Sequence, residues 1–293
     1  MKKLYLVINP CAGKLKAPRV LFDMIQLFSR DYEVTVYPTK CAADAENMVK
    51  ANGAKYDMVV CSGGDGTLNE VISGVMKCGG KPAIGYIPSG TTNDFAASMK
   101  IPLNIKDACE KIIYGLPTPI DIGNFNGRYF AYTASFGVFT ESSYNVPQAT
   151  KNRFGYIAYF LEALKDISNL HKPYHLKVQT SDLVIEDNFM FGAVCNSTSV
   201  GGFIKLDTNK VNFNDGLFEV LLIKTPTNPV DTQRIMSDIL KKQYNDEYIY
   251  FFRTNNIKIE TEETLRWSLD GEREEGNHSV EIDIEKSAIT IML

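Results

Sequence analysis

The sequence predicts two parts. The first is an α/β unit, with a parallel sheet and helices on both faces. The second is a β-rich, antiparallel, sandwich-like unit. Three observations predict this. From Tyr5 to Tyr114, strand-like and helix-like segments alternate. After Pro117-Thr118-Pro119 they give way to strand-like segments separated by turn residues. The length of 293 residues, 44% hydrophobic and 23% charged, suits one large or two ordinary globular domains.

The elements follow from spacing. Tyr5 to Asn9 reads as a strand. Val20, Leu21, Met24, Ile25, Leu27 and Phe28 have helical apolar spacing. Glu33 to Tyr37, Asp57 to Ser62 and Ala83 to Ile87 read as strands. Ala42 to Ala51, Thr67 to Met76, Asn93 to Met99 and Asp107 to Tyr114 read as helices. Beyond the Pro-rich stretch, Arg128 to Val138, His175 to Val184, Phe189 to Cys195, Gly216 to Ile223 and Asn256 to Ile259 read as strands. Helices are expected near Phe154 to Ser168 and Pro229 to Lys241. The boundary is placed near Asp121, giving 1–121 and 122–284. The tail from about residue 285 to 293 is free to return to the first part.

Composition narrows the function classes. A net charge of −4 argues against general nucleic-acid binding. The six cysteines have no C-x-x-C spacing and read as reduced thiols of a cytoplasmic protein. His171 and His175 are four apart, but Pro173 intervenes, and solvated histidines at a helix end are preferred to zinc ligands. The start Met1-Lys2-Lys3-Leu4-Tyr5-Leu6-Val7-Ile8 fits a first buried strand better than a signal peptide. No apolar run reaches transmembrane-helix length.

The most informative run is Gly63-Gly64-Asp65-Gly66-Thr67-Leu68-Asn69-Glu70, a glycine turn between a strand and a helix. Such a turn presents unpaired amides and the positive end of the helix dipole, both suited to phosphate. Asp65 beside a phosphate makes sense with a divalent cation between them. Asp65, Asp94 and Asp121 each follow an apolar strand or lie in the loop after it. Together with the surrounding glycines and threonines they favour a magnesium network over simple helix caps. A second turn, Asn9-Pro10-Cys11-Ala12-Gly13-Lys14, follows the first strand; Lys14 and Arg19 can neutralise phosphate oxygens, and Thr39 can contact a nucleotide hydroxyl. Late in the chain, Asp270 and Glu272 flank Gly271 and are candidates to take a proton from an acceptor hydroxyl. Read by themselves they fit a hairpin turn better. No Walker A loop, dinucleotide fingerprint or protein-kinase signature is present.

These motifs resemble the diacylglycerol kinase catalytic-domain family, in particular its soluble bacterial lipid kinases. The resemblance rests on Asn9-Pro10-x-x-Gly13, Gly63 to Glu70, Pro88-x-Gly90-Thr91-x-Asn93-Asp94-Phe95-Ala96, Asn214 to Val220, and Leu269-Asp270-Gly271-Glu272. It implies an ATP-dependent kinase for a hydroxyl of a membrane lipid such as diacylglycerol, with its active site in a cleft between the two domains. ATP is then expected on Asn9, Pro10, Cys11, Ala12, Gly13, Thr39, Gly64 to Glu70 and Thr91. The resemblance puts the magnesium network on Asp65, Asp94 and Asp121. A structural magnesium is expected on Asp215 with the carbonyls of Asn212 and Leu217. The acid–base position falls on Glu272, with Asp270 alongside, and the basic positions match Lys14 and Arg19 only approximately.

The lipid side is less legible. Phe154 to Leu161 with Leu164 and Ile167, and Tyr248 to Phe252, suit an acyl groove or a membrane surface, and suit core packing better. Expected partners are a membrane lipid reached by transient peripheral contact at the inner membrane surface, no nucleic acid, and a homodimer as one oligomeric option. The rival functions are a kinase for a soluble substrate such as NAD, and a nucleotide-binding regulator without catalysis. Asp270 and Glu272 argue against the regulator, which needs no proton acceptor.

Overall fold

The computed structural model describes every residue except 15–19, 92, 138–172, 198, 201–203, 206–211, 242, 245–246 and 276–277; for Lys14, Ser199, Val200, Ile204 and Lys205 only the backbone is described. The chain divides into two compact units. One comprises Met1–Ile122, Arg128–Ala131 and Glu285–Leu293; the other comprises Gly123–Gly127 and Tyr132–Ile284.

The first unit is α/β. Strands β1 (Lys2–Ile8), β2 (Tyr32–Pro38), β3 (Met58–Gly63) and β4 (Ala83–Pro88) are parallel, in the spatial order β2-β1-β3-β4. β1 and β3 are interior strands, which explains their unbroken apolar runs; both faces of such a strand are covered. Alternation of side chains sorts them. Leu4, Leu6, Ile8, Met58 and Val60 meet Met24 and Phe28 of α1 (Leu21–Phe28), on the face where Ala108, Cys109 and Ile112 of α5 (Ile105–Tyr114) also pack. Tyr5, Val7, Val59 and Cys61 point the other way.

Helices α2 (Asp44–Asn52) and α3 (Asp65–Lys77) pack so closely that a Cβ on Gly74 would lie 2.7 Å from the Val49 Cβ. α4 (Asp94–Ser98) is a short helix after β4, and Asn104 caps α5 by accepting from the amides of Lys106 and Asp107. The first unit also holds the end of a long last strand, where Ile291 lies beside Ile84 in parallel and Leu116 and Leu293 exchange backbone bonds.

The second unit is antiparallel. Its strands include the end of β5 (Pro117–Phe125), which, with β6 (Arg128–Phe130), has its other residues in the first unit. They continue with β7 (Thr133–Gly137), β8 (Tyr174–Gln179), β9 (Val184–Cys195), the small pair β10 (Ser199–Val200) and β11 (Ile204–Lys205), and β12 (Phe218–Lys224). After helix α6 (Pro229–Lys241) come β13 (Ile249–Thr254), β14 (Asn256–Thr261), β15 (Arg266–Leu269), β16 (Glu272–Glu275) and the first part of β17 (Ser279–Met292).

Strand β9 organises this unit. Its first half pairs with β8, and its second half pairs with β7 on one side and β12 on the other. One core cluster joins Ile235 and Ile239 of α6 to Phe191, Leu221, Ile223 and Ile249. Elsewhere in the unit Trp267, about 1% exposed, meets the rings of Phe125 and Phe136 edge-on at 5.0 and 4.9 Å.

Several sequence expectations need correction. Arg128 to Val138 is not one strand: β6 ends at Phe130 and β7 begins at Thr133, while Val138 lies outside the described residues. His175 to Val184 also divides, because the Thr180 hydroxyl accepts the amides of Asp182 and Leu183 and closes a turn. His175 therefore sits on a strand rather than a helix end, 3.3 Å from both Asn188 Oδ1 and Glu186 Oε1. Strands β5 and β17 carry no clear strand signal in the sequence: β5 opens with two prolines, and charged residues break the apolar pattern of β17. Tyr248 and Phe251 pack against the α6 cluster, which favours the core reading of that segment. The helix expected near Phe154 to Ser168 and the apolar run within it lie outside the described residues.

The start of α6 carries a pH-dependent anchor. Asp231 accepts from the Thr227 hydroxyl at 2.7 Å, the Thr227 amide at 3.0 Å and the Tyr248 hydroxyl at 3.0 Å. These bonds, the Thr227 hydroxyl foremost, lower its pKa from 3.8 to about 2. The folded value is below the unfolded one, so the stabilisation is present above 3.8 and is lost as pH falls through about 2. Asp231→Asn is therefore expected to lower the urea midpoint at neutral pH. Between pH 4 and pH 2 it should lose less of its remaining stability than wild type does; parallel pH profiles would contradict this account.

Candidate active site

Three loops meet at the C-terminal ends of the parallel strands. The strand ends are level there: Thr39 donates to the Ile8 carbonyl at 2.9 Å, Asn9 to the Ser62 carbonyl at 2.8 Å, and Ser89 to the Gly63 carbonyl at 2.8 Å. Such a rim is where ligands of parallel sheets bind. Asn9 ties the first loop to α3. Its side-chain oxygen accepts the Cys11 amide at 3.0 Å, and its side-chain nitrogen donates to the Thr67 hydroxyl at 3.0 Å. Ala12 donates back to the Asn9 carbonyl, so Pro10 and Cys11 form the tip of a closed turn.

Glycine is required where the loops touch. Gly13 has φ +52°, and a Cβ on it would fall 1.8 Å from the Ser89 carbonyl oxygen. A Cβ on Gly90 would fall 2.5 Å from the Gly64 Cα. The second and third loops are therefore in main-chain contact.

Helix α3 starts at Gly64 with no side-chain cap, so its first turn offers amides to a ligand. The remaining side chains of its opening turns serve neighbouring elements. Asp65 accepts the amides of Asp94 at 3.0 Å and Phe95 at 3.2 Å, and so caps α4 rather than its own helix. Burial raises the Asp65 pKa, and the backbone amides oppose that rise without cancelling it.

Leu68 is buried, and Asn69 donates to the Tyr129 carbonyl at 3.2 Å. The two carboxylate oxygens of Glu70 accept the amides of Ala43 at 2.8 Å and Ala45 at 3.1 Å. Of the run read as nucleotide-binding, the residues at the open start are Gly64, Asp65 and Gly66. Thr91 is exposed on the third loop.

Two residues missed in the sequence reading organise that third loop. Asn93, with φ +55°, accepts the Gly90 amide at 2.9 Å and donates to the Gly90 carbonyl at 3.1 Å. The buried Tyr86 hydroxyl lies 3.4 Å from both the Gly63 carbonyl and Asn93 Oδ1. Asn93 stood within the quoted motif, and its tolerance of left-handed backbone was the available signal. Tyr86 gave none, since a strand tyrosine reads as core. The backbone of Lys14 closes the first loop, and Arg19 lies outside the described residues.

The other predicted acids are separately engaged. Asp121 is fully buried and accepts the Ser287 amide at 2.6 Å. Among the described residues, no three His, Cys, Asp or Glu side chains gather closely enough to hold a metal ion. In the second unit, Asp215 accepts the Leu217 amide at 3.1 Å and pairs with the Arg253 guanidinium. Arg253 also binds Glu219 at 3.1 Å. Burial pushes the Glu219 carboxyl up to about 7, although Arg253 pulls the other way. Asn212, at the start of this loop, accepts weakly from the Asn214 amide at 3.4 Å.

Asp270 and Glu272 belong to the hairpin that the dipeptide Asp270-Gly271 suggested. Both turn residues have positive φ, +51° and +84°, and Leu269 pairs with Glu272. The buried Asp270 carboxylate accepts the amides of Tyr132 at 2.9 Å and Thr133 at 3.0 Å. Glu272, the first residue of β16, is half-buried.

Residues 3–125 match the family described as diacylglycerol kinase catalytic domain, and residues 134–293 match the YegS C-terminal NAD kinase beta sandwich-like domain. A diacylglycerol kinase of Bacillus subtilis is 34% identical over 276 residues, covering 93% of this chain and 90% of the relative. The chain belongs to the diacylglycerol kinase family. A diacylglycerol kinase of Staphylococcus epidermidis is 30% identical over 274 residues, covering 92% and 86%. A solved Bacillus anthracis structure assigned to the diacylglycerol kinases superposes with a TM-score of 0.81 at 27% identity, covering 99% of this chain and 95% of that one. The protein is thus a lipid-kinase-type phosphotransferase, and membership of a kinase family implies ATP as phosphoryl donor. The catalytic-domain match falls mainly on the first unit and the sandwich-like match mainly on the second, while residues 285–293 of the latter belong to the first unit.

The glycine contact makes a direct prediction. Gly90→Ala should force the second and third loops apart and lower turnover by about a hundredfold, the scale set by ångström-level misplacement of a site. Circular dichroism and cooperative unfolding should remain those of a folded protein. Near-wild-type turnover would show that the loops need not touch.

Proposed function

We propose that this diacylglycerol-kinase-family chain transfers the γ-phosphoryl group of ATP to the free hydroxyl of diacylglycerol, working from the cytoplasmic side of a membrane. The observation that carries the reading is the open amide turn at the start of α3, fixed by main-chain contact between Gly64 and Gly90. Uncapped amides at a helix N-terminus suit triphosphate oxygens. Gly64, Asp65 and Gly66 would bind the phosphates, with Asn9 to Gly13 and Thr91 beside them and Thr39 toward the nucleoside. Lys14 and Arg19 would steady the charge that develops on transfer.

The acid set suits magnesium held through its own waters. Asp65 and Asp94 stand at one junction, and Asp121 would add a further carboxylate. Among the described residues no cluster is tight enough for direct coordination, and magnesium usually keeps several waters. When bound, it would offset phosphate charge. In the second unit, Asp215 with Asn212 and Leu217 is the proposed structural-ion set. Two carboxylates, Asp215 and Glu219, share one guanidinium there, and among the described residues the buried Glu219 Oε2 has no hydrogen-bond partner. A cation there would offer the Glu219 carboxylate the partner its burial denies it.

Glu272, rather than Asp270, is the proton acceptor in this reading. Asp270 is held by two amides of β7 and its approach, so its role is to set the hairpin that presents Glu272. A lipid acceptor implies work at a membrane surface. Among the described residues no helix is long and apolar enough to cross a membrane, which favours peripheral contact. The relatives named diacylglycerol kinase support that lipid as the acceptor.

The test is incubation of the protein with γ-labelled ATP, magnesium and a total lipid extract, with NAD in a parallel reaction. Labelled phosphatidic acid is expected; label on NAD alone would refute the lipid assignment. Asp65→Asn should abolish transfer while cooperative unfolding survives, because it removes charge and turns an amide donor toward a backbone amide. Glu272→Gln should cut kcat at least a hundredfold, in the range of general-base loss, with ATP affinity changed little. Equal losses in kcat and ATP affinity would remove the proton-acceptor role.

A further inference from the structure

We propose that Glu70 is a positioning residue for the nucleoside half of ATP, acting through the loop that carries Thr39 rather than by touching the ligand. The inference rests on the ATP site proposed above. Glu70 lies in the second turn of α3, the helix whose first turn is the glycine loop. Its two carboxylate oxygens accept the amides of Ala43 and Ala45, 27 and 25 residues away in the chain. Those amides open α2. Ala43 has a left-handed backbone, φ +62°, and no side-chain cap to offer. A carboxylate at a helix N-terminus is favourable, so Glu70 supplies from outside the cap that the local sequence lacks.

The same short loop has a second anchor. Asp44 accepts the Lys40 amide at 2.8 Å, and both its oxygens take the Tyr37 hydroxyl at 3.1 Å. Thr39 is joined to the end of β1 through the Ile8 carbonyl. Residues 39–44 are therefore held by Asp44 from within and by Glu70 from the glycine-loop helix. β2 stands two strands from β3, roughly 10 Å at the usual strand spacing. That is the span over which a nucleoside triphosphate with phosphates on the glycine loop extends toward its ribose and base. Glu70 braces the two ends of this span. Pointing at the triphosphate, it would repel it; turned to α2, it meets two amides.

The experiment compares ATP with inorganic tripolyphosphate, which has the phosphates and lacks the nucleoside. Calorimetric binding of both, as magnesium salts, is measured for the full chain and for Glu70→Ala and Glu70→Gln, with KM and kcat for ATP and the unfolding temperature. Glu70→Ala should raise Kd and KM for ATP about tenfold or more, as expected when a charged acceptor of two amides is lost. Tripolyphosphate affinity should stay near wild type, and Glu70→Gln, which keeps one acceptor, should fall between. Asp44→Asn loosens the loop from its other anchor and should give the same ATP-selective loss, which keeps the test decisive if Glu70→Ala does not fold. Parallel losses for ATP and tripolyphosphate, or a folded Glu70→Ala with unchanged KM, would overturn the inference alone. Wild-type protein that bound neither ligand would overturn the ATP-site reading and this inference with it.

Discussion

The contact on which the first unit's site depends is between two stretches of main chain. Gly64 and Gly90 come so close that no Cβ fits on Gly90, and Gly13 meets the Ser89 carbonyl in the same way. Three loops that leave different strands thereby behave as one surface. Side chains could not achieve this, because each would add bulk and rotamer freedom between the loops. Level strand ends supply the platform, and glycine lets the loops close over it.

Helix α3 then distributes that order to its neighbours. Its two carboxylates, Asp65 and Glu70, cap the helices of two other connections, α4 and α2. Five positions apart on a helix, they point to different sides, so one rigid element fixes both flanks of the rim. The cap residue Gly64 brings no side chain to the start of α3, and the carboxylates of Asp65 and Glu70 reach the amides of other helices. A site built this way joins close loop contacts to rigid helices, which suits phosphoryl transfer, where positioning and electrostatics do most of the work.

Much of this was legible in the sequence. The alternation of apolar runs gave the parallel strands, and the order of glycines gave the loops, because both follow from local chain chemistry. Asp270-Gly271 announced its hairpin through the positive φ that both residues tolerate. Partnership was not legible. Nothing local tells that Glu70 turns to Ala43, that Asp65 caps α4, or that Asp270 holds Tyr132 and Thr133, since each bond joins residues far apart in the chain. The unread strands β5 and β17 show the same limit. Proline and charge disguise them locally, and pairing across the fold makes them strands.

The bonding of Asp65 also decides how it can meet a magnesium ion. Both its oxygens already accept backbone amides, and a hydrogen bond to a charged group is worth about 1.5–3 kcal/mol. Direct coordination would bring a dication to about 2 Å from an oxygen that already accepts an amide, repelling that amide's hydrogen and weakening the bond that holds the start of α4. Coordination through a water leaves the amide bonds intact, because each carboxylate oxygen has a further lone pair to offer. Burial has raised the pKa of this acid, so its charged form gains from any cation brought nearby. On the proposed reading, one carboxylate can cap α4 and also accept a hydrogen bond from a hydrated ion's water.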